Sequence, residues 1–171
     1  EEARKVIADA QALLQQIKKD GSLQLNGVVG IYPANREGDD IVVECKGKKY
    51  RLPQLRNQLS DGLSVADYVA TAEAGTDYIG VFAVTGGMGL AELAQKYRDA
   101  GDDYNAIMAK LLADRLTEAF AEVMHAFVRE VVWGYQTEPM SPEDAVAEKY
   151  VGRRYAFGYP ATPDHTHKRE V

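Results

Sequence analysis

The chain contains 171 residues, of which 46% are hydrophobic and 27% charged, and its 20 Lys and Arg against 26 Asp and Glu give a formal charge of −6. This length predicts one domain with one core, and the composition excludes a disordered chain. The negative net charge disfavours nucleic acid as a partner, because its phosphates would be repelled. No apolar run approaches the roughly 18 residues that a membrane span needs, so we expect a soluble protein without a membrane partner.

The single cysteine and the two chain ends indicate where the protein works and how much of it is present. Cys45 has no second cysteine to pair with, which favours a reducing cytosol, so we expect a cytoplasmic protein with Cys45 as an ordinary strand residue. Residues 1–20 carry no targeting signal and already show helical spacing, and residues 164–171 carry no helix or strand signal. We therefore expect a domain that is truncated at both ends.

An amphipathic helix opens the chain and is followed by a short strand. Apolar residues recur at helical spacing over residues 3–17, and Gly21 breaks the predicted helix. The branched residues of 28–32 predict a buried strand that Pro33 ends. The polar residues 34–40 then predict a turn.

A hairpin is predicted next. Residues 41–45 and 48–52 form its arms around a Lys-Gly turn, and Pro53 ends the second arm. Residues 64–70 are compatible with a short helix or with a strand, because seven residues are too few for periodicity to decide.

A longer apolar strand and three helices complete the order. Residues 78–85 are long, apolar and bounded by Asp77 and by Gly86-Gly87, which predicts a central strand. The helices are predicted over residues 90–100, 102–133 and 141–150, the second with one apolar face along its whole length. These helices and a mostly antiparallel sheet predict a single α+β body.

The segment 153–165 carries the residues best suited to binding a ligand. Arg153 and Arg154 offer planar donor forks for a carboxylate, Gly158 permits close approach of the backbone, and three aromatic rings lie nearby in sequence. Such a loop suits an amino-acid-like zwitterion. A well-packed loop with surface arginines explains the same residues, and spacing alone leaves both readings open.

The residues Arg154-Tyr155-Ala156-Phe157-Gly158-Tyr159 resemble the Arg-x-x-x-Gly-Tyr motif with which the activation domain of cobalamin-dependent methionine synthase binds S-adenosylmethionine. The resemblance continues through residues 160–166. Further segments resemble the family in the same order, at residues 27–30, 33–35, 38–41, 77–80, 82–87, 102–105, 112–116, 118–122 and 133–135. On this resemblance, residues 1–171 are identified as a member of that family.

The resemblance implies both a fold and a function. The fold is a single C-shaped, or helmet-like, α+β domain with a central antiparallel sheet, long flanking helices and a shallow groove for the cofactor. It is not a Rossmann fold, and the sequence agrees, because it lacks the glycine-rich strand-to-helix turn of Rossmann methyltransferases. The implied function is to bind S-adenosylmethionine and present its methyl group for the reductive remethylation of cob(II)alamin, which reactivates the enzyme.

In that family the cobalamin is bound by a neighbouring module of the same polypeptide, and the electron comes from flavodoxin or a flavoprotein reductase. Methyl transfer from methyltetrahydrofolate to homocysteine belongs to other modules. The resemblance therefore implies an enzyme only as part of methionine synthase, the 5-methyltetrahydrofolate-homocysteine S-methyltransferase. This chain alone is expected to have no independent turnover and no catalytic residue.

The resemblance also assigns five binding residues. Arg154 is expected to hold the methionyl carboxylate, the backbone of Ala156 and Gly158 to lie against the ligand, and the Tyr159 ring to face the sulfonium. Glu118 resembles a family carboxylate that reaches the amino group or the sulfonium. The family also uses an acidic residue before the first helix and aromatic residues beyond Val171, so we expect this chain to bind more weakly than an intact domain.

Two histidine-containing groups are weighed as metal sites and set aside. Glu118, Glu122 and His125 share one helical face, and a solvated polar stripe explains them. His165 and His167 lie beside Asp164 without a further ligand, and the polarity of a loop explains them. We expect no metal.

Other patterns and functions remain as alternatives. Residues 86–89 resemble an anion-binding glycine turn, but they lack its lysine, and a simple tight turn is favoured; Asp39-Asp40 is expected to be a turn before a strand. The alternatives for function are a free-standing module that reactivates a separate corrinoid protein and a docking domain that has lost cofactor binding.

Overall fold

The computed structural model describes residues 1–58 and 62–169. Its helices and strands are α1 (Glu2–Asp20), β1 (Gln24–Glu37), β2 (Asp40–Cys45), β3 (Lys48–Pro53), β4 (Asp77–Met88), α2 (Leu90–Asp99), α3 (Asp103–Phe127) and α4 (Pro142–Val146). Short 3₁₀ turns lie at Val65–Tyr68, Ala72–Ala74 and His165–Arg169, and a π-helical turn at Val128–Val132. The strands form one sheet in the order β3-β2-β1-β4, and β2 pairs antiparallel with both β1 and β3. The predicted α+β class is confirmed.

The predicted hairpin is present with the predicted turn. β2 and β3 pair from Asp40↔Pro53 to Cys45↔Lys48. Lys46 and Gly47 both have positive φ, 51° and 72°. Two successive positive φ values match the right-handed twist of a two-residue hairpin. The turn residues alone therefore set the register of this hairpin.

The predictions that Pro33 ends the first strand and that residues 34–40 form a turn are wrong. β1 continues through Pro33 to Glu37, and the turn is confined to Gly38 and Asp39. The pairing of β1 with β2 begins at Ala34, so the missing N–H of Pro33 removes no hydrogen bond from it. Of the expected Asp39-Asp40 turn, Asp39 lies in the turn, whereas Asp40 is already the first residue of β2.

The prediction of a central strand over residues 78–85 is also wrong. β4 lies last in the strand order. Its residues alternate between exposed and partly buried along most of its length, which is common in an antiparallel sheet with one face toward solvent. β4 also passes through Gly86 and Gly87 to Met88, so the expected tight turn is absent there.

The first of two compact units comprises residues Glu1–Val28 and Phe82–Phe127. Its core is a cluster of buried residues from three helices: Leu13, Ile17, Leu93, Met108 and Ala109. Gly86 is buried and lies against α3, where a Cβ would come 3.1 Å from the carbonyl oxygen of Ala113 and would collide with Thr117. The glycine is therefore required by the close approach of strand and helix.

The long helix is confirmed, but its single apolar face is not. Asp102 caps α3 by accepting a 3.0 Å hydrogen bond from the amide of Asn105, and Gly134, with φ 74°, follows the π-helical turn at the far end. Six of the large apolar residues on the predicted face are exposed: Tyr104, Ile107, Leu111, Val123, Phe127 and Val131. Their positions spread around the helix, so they occupy more than one of its sides.

The second unit comprises Val29–Val81 and Val128–Val171. Its core is formed by β1, the hairpin and the segment after it: Ala34, Ile41, Val43, Leu52, Ala66 and Val69. The segment 64–70, left open above, contains the 3₁₀ turn Val65–Tyr68, capped by Ser64. Each unit thus has its own buried cluster, and the single domain stays a prediction.

No helix within the described part of the chain is long and apolar enough to cross a membrane.

Candidate functional site

The loop that carries the Arg-x-x-x-Gly-Tyr residues belongs to the second unit and is anchored at its start. Tyr150 is buried, and the guanidinium carbon of Arg129 lies 4.3 Å from the centre of its ring. The hydroxyl of Tyr135 donates a 3.1 Å hydrogen bond to the carbonyl of Val151. We call residues 154–162, which follow this anchor, the motif loop.

The motif loop is closed by its own backbone. The amide of Gly158 donates to the carbonyl of Thr162 at 2.9 Å, and the amide of Thr162 donates to that of Tyr159 at 2.9 Å. The amide of Tyr159 donates to the carbonyl of Ala156 at 3.1 Å. These three bonds hold Ala156, Gly158 and Tyr159 in consecutive turns, so their positions depend on one another.

Gly158 occupies a position that other residues could not fill. Its φ is 102°, and a Cβ there would collide with the imidazole of His165. A side chain at this position would therefore face both an unfavourable backbone conformation and a steric clash. His165, weighed above as part of a metal site, instead lies against one side of this glycine, which remains exposed.

The polar and aromatic side chains of the motif loop differ in exposure. Arg154 is half-buried, whereas Ala156 and Tyr159 are exposed, Tyr159 with 63% of its surface accessible. The ring of Tyr159 is therefore open to a ligand, and Arg154 is partly so. Phe157 packs inward instead, with its ring centre 6.1 Å from that of the buried His167.

Tyr155 contacts a tyrosine from a distant part of the chain. Its hydroxyl lies 3.0 Å from that of Tyr68, and the ring centres are 5.7 Å apart. Burial, followed by the hydrogen bond to Tyr68, raises the pKa of Tyr155 to about 12. The phenol is therefore neutral at physiological pH and cannot act as a base there.

Glu118, the fifth predicted binding residue, lies on α3 in the first unit. Its side chain is 65% exposed, and it accepts a 2.8 Å hydrogen bond from Nη1 of Arg115, one turn away. An exposed pair of this kind contributes little to stability, so Arg115 can release the carboxylate at low cost. The other four predicted residues lie together in the motif loop, and the binding roles of all five stay predictions.

One histidine in each of the two groups weighed as metal sites is buried, whereas solvated positions were expected. His125 and His167 are both buried, so neither a solvated stripe nor the polarity of a loop describes them. Periodicity places His125 beside Glu118 and Glu122 but does not report burial. Within residues 1–58 and 62–169, no three His, Cys, Asp or Glu side chains are placed to hold a metal ion.

The sequence does not predict the contacts that support the motif loop. The hydroxyl of Thr162 donates a 3.1 Å hydrogen bond to Oε1 of Gln54, and both residues are buried. The two residues are 108 positions apart. No local pattern marks Gln54, and co-variation of the two positions among related sequences is the signal that would have found it.

The fold and this loop define an α+β domain with a largely antiparallel sheet, outside the Rossmann class. A sequence model of the family "Vitamin B12 dependent methionine synthase, activation domain" matches residues 1–171. The chain belongs to this activation-domain family.

A solved structure supports the assignment at the level of the fold. The chain is similar to the crystal structure of the MetH reactivation domain bound to AdoHcy, with 44% sequence identity and a TM-score of 0.89. The match covers 99% of this chain and 55% of that chain. This chain thus spans about half the length of that relative.

Proposed function

We propose that this chain binds S-adenosylmethionine through the motif loop and presents its methyl group to a cobalamin held by a neighbouring module. The observation that carries the proposal is the closed turn of Gly158, where a Cβ would collide with the His165 imidazole, four residues after the half-buried Arg154 in the sequence. The similar domain of known structure holds AdoHcy, the demethylated form of the proposed ligand.

The residues of the motif loop fit such a ligand. S-adenosylmethionine has a carboxylate, an ammonium, a sulfonium and an adenosyl group. A guanidinium is suited to the carboxylate as a bidentate partner, so Arg154 takes that role. Ala156 and Gly158 offer backbone for close contact, and the exposed Tyr159 ring offers a face to the sulfonium. Glu118 supplies the negative charge for the ammonium or the sulfonium.

The domain acts by positioning its ligand. In the proposed reaction, one electron from flavodoxin or a flavoprotein reductase and the methyl group of S-adenosylmethionine convert cob(II)alamin to methylcobalamin, and S-adenosylhomocysteine is released. Neither a proton transfer nor a protein nucleophile is needed, which agrees with the neutral Tyr155. The residues of this chain bind and orient the sulfonium compound, whose methyl group is already activated.

The wider assignments are part of the same proposal. The chain acts as a part of methionine synthase in the cytoplasm, without turnover of its own. Its partners are the cobalamin module and the flavoprotein electron donor.

Calorimetric titration of this 171-residue chain with S-adenosylmethionine and with S-adenosylhomocysteine tests the proposal. We expect one site for both ligands. Adenosine, which lacks the amino-acid part, serves as the control and should bind much more weakly. Flat titrations with both sulfur compounds would contradict the proposed function.

A further inference from the structure

The motif loop is held by three contacts from Gln54 and from the 3₁₀ turn Val65–Tyr68, all within the second unit. Oε1 of Gln54 accepts from the Thr162 hydroxyl at 3.1 Å, and the amide of Val65 donates to the carbonyl of Ala161 at 2.8 Å. The hydroxyl of Tyr68 lies 3.0 Å from that of Tyr155. Two of these contacts hold the end of the loop and one holds its beginning.

Gln54, the first of the residues that make these contacts, is itself held by hydrogen bonds. Gln54 follows β3 directly, its amide donates to the carbonyl of Asp39 at 3.1 Å, and its Nε2 donates to that of Leu52 at 3.2 Å. The backbone amide and the side-chain nitrogen of Gln54 are thus both hydrogen-bonded, and these bonds define the orientation of Oε1 toward Thr162. A side chain fixed in this way is an effective support for a loop.

The 3₁₀ turn Val65–Tyr68 is held just as firmly. Its cap, Ser64, is fully buried, and the Ser64 amide donates to Oδ2 of Asp67 at 3.1 Å. Asp67 accepts two 2.9 Å hydrogen bonds from Arg56 and pairs with Arg36 at 3.5 Å. The ion pairs therefore fix the turn whose first amide bonds to the motif loop.

Thr162 joins this support to the ligand-facing backbone. Its side chain bonds to Gln54, while its own carbonyl accepts the amide of Gly158 and its amide donates to Tyr159. Only 4% of Thr162 and 6% of Gln54 is exposed. The hydroxyl thus joins a buried side-chain contact directly to the two backbone bonds that shape the Gly158-Tyr159 turn.

We propose that Gln54 and Thr162, together with the 3₁₀ turn Val65–Tyr68, position the motif loop for binding S-adenosylmethionine. This inference rests on the proposed function, because the loop is taken as the binding site. The two residues act through the backbone of the loop and need no contact with the ligand. Holding a loop in its binding conformation before the ligand arrives lowers the entropic cost of binding.

The test compares Thr162→Val with Thr162→Ser. The valine keeps the shape but removes the hydroxyl, whereas the serine keeps the hydroxyl. Hydrogen exchange of the ligand-free chain is measured at the amides of Gly158 and Thr162. We expect faster exchange at both amides in Thr162→Val, exchange close to wild type in Thr162→Ser, and unchanged exchange in α1, which lies in the other unit.

Titration with S-adenosylhomocysteine then measures the effect on binding. The loss of one hydrogen bond predicts about three- to tenfold weaker binding for Thr162→Val, with recovery in Thr162→Ser. Gln54→Met should weaken binding by a similar factor. The double variant Gln54→Met/Thr162→Val should lose no more than either single variant, because both remove the same bond.

The outcomes separate this inference from the proposed function. Absence of binding by the wild-type chain contradicts the proposed function. The exchange experiment still decides whether the Gln54–Thr162 hydrogen bond orders the loop. If Thr162→Val binds like wild type, or if Thr162→Ser loses as much as Thr162→Val, the positioning role is wrong. Losses of Gln54→Met and Thr162→Val that add in the double variant also contradict it. Melting curves of all four variants establish that each is folded during the titrations.

Discussion

Arg154 is the residue on which the proposed recognition of the methionyl carboxylate depends most. We expect Arg154→Ala to weaken binding of S-adenosylmethionine by about 2 to 4 kcal/mol, because the carboxylate loses its charged partner. Arg154→Lys should also weaken binding, since an ammonium cannot supply a planar fork. Calorimetry measures both changes.

The neighbouring Arg153 is the matched control for this prediction. Arg153 is exposed and donates a 3.1 Å hydrogen bond to the carbonyl of Gly152, so Arg153→Ala should change affinity much less. Decarboxylated S-adenosylmethionine provides a second control, because it lacks the group assigned to Arg154. Unchanged affinity in both Arg154 variants would remove Arg154 from the binding site.

Gly158 tests whether the backbone of the motif loop must have its observed shape. Gly158→Ala should lower both the free energy of unfolding and the affinity for S-adenosylhomocysteine, because the new Cβ meets the His165 imidazole at a φ of 102°. Gly38→Ala is the control for a positive φ without a clash: its φ of 64° lies in the left-handed helical region, and no atom lies within 4 Å of the added Cβ. It should show only the conformational cost, about 1 to 2 kcal/mol.

Chemical denaturation and titration measure these two effects. Replacing His165 by alanine in the Gly158→Ala protein should restore part of the lost stability, since it removes the clashing ring. Equal destabilisation by Gly158→Ala and Gly38→Ala would mean that the imidazole contact is unimportant. The backbone strain would then be the whole effect.

At the scale of elements, the 3₁₀ turn Val65–Tyr68 depends on an ionised Asp67. Hydrogen bonds from Arg56 are the main cause that lowers the pKa of this carboxyl, against burial, which raises it. A lowered pKa in the folded state gives stability that is present above the unfolded pKa of about 4 and is lost as the pH falls through the folded pKa.

We therefore expect wild type to melt above Asp67→Asn at pH 7, and the difference to shrink as the pH falls from about 4 toward 2. The side chain of Asp67 is 32% exposed, so the difference at pH 7 should be small, roughly 2 °C. Calorimetric melting curves of both proteins across this range measure it. A difference that stays constant with pH would show that the ionised carboxylate is not its source.

The sequence predicts the elements with local determinants and mispredicts those that depend on pairing. The Lys46-Gly47 turn and the starts of the helices predicted from residues 102 and 141 depend on neighbouring residues, and the structure has all three within one residue. Pro33 and the position of β4 were mispredicted. Whether a proline interrupts a strand, or an apolar strand lies at an edge, depends on which strand pairs beside it, and this information is not local.

In the candidate site, too, the sequence predicts local features and misses a contact between distant residues. Arg154, Gly158 and Tyr159 were found because they are close together in sequence and resemble a motif. The Gln54–Thr162 bond was not, since it joins residues 108 positions apart. The motif therefore predicts which residues lie in the loop, and the tertiary structure shows what supports it.

At the scale of the whole molecule, the proposed role separates cofactor rescue from primary catalysis. This chain spans about half of the similar MetH reactivation-domain chain, with 55% of that chain covered. In the proposed role, the other steps of methionine synthesis belong to other modules, and the rescue step is the one that consumes S-adenosylmethionine. Loss of the methionyl carboxylate site should therefore impair recovery of the enzyme without affecting its first turnovers.

We expect full-length methionine synthase carrying Arg154→Ala to start at a near-normal rate when its cobalamin is methylated in advance. Its activity should then decay as cob(II)alamin accumulates, because the methyl donor for recovery is no longer held. The measurement follows methionine formation in air with a flavodoxin reducing system, with and without S-adenosylmethionine. Wild type should recover only when S-adenosylmethionine is present, and Arg153→Ala should behave like wild type. If Arg154→Ala loses its first turnovers as completely as its recovery, the domain contributes to primary catalysis and the proposed role is wrong.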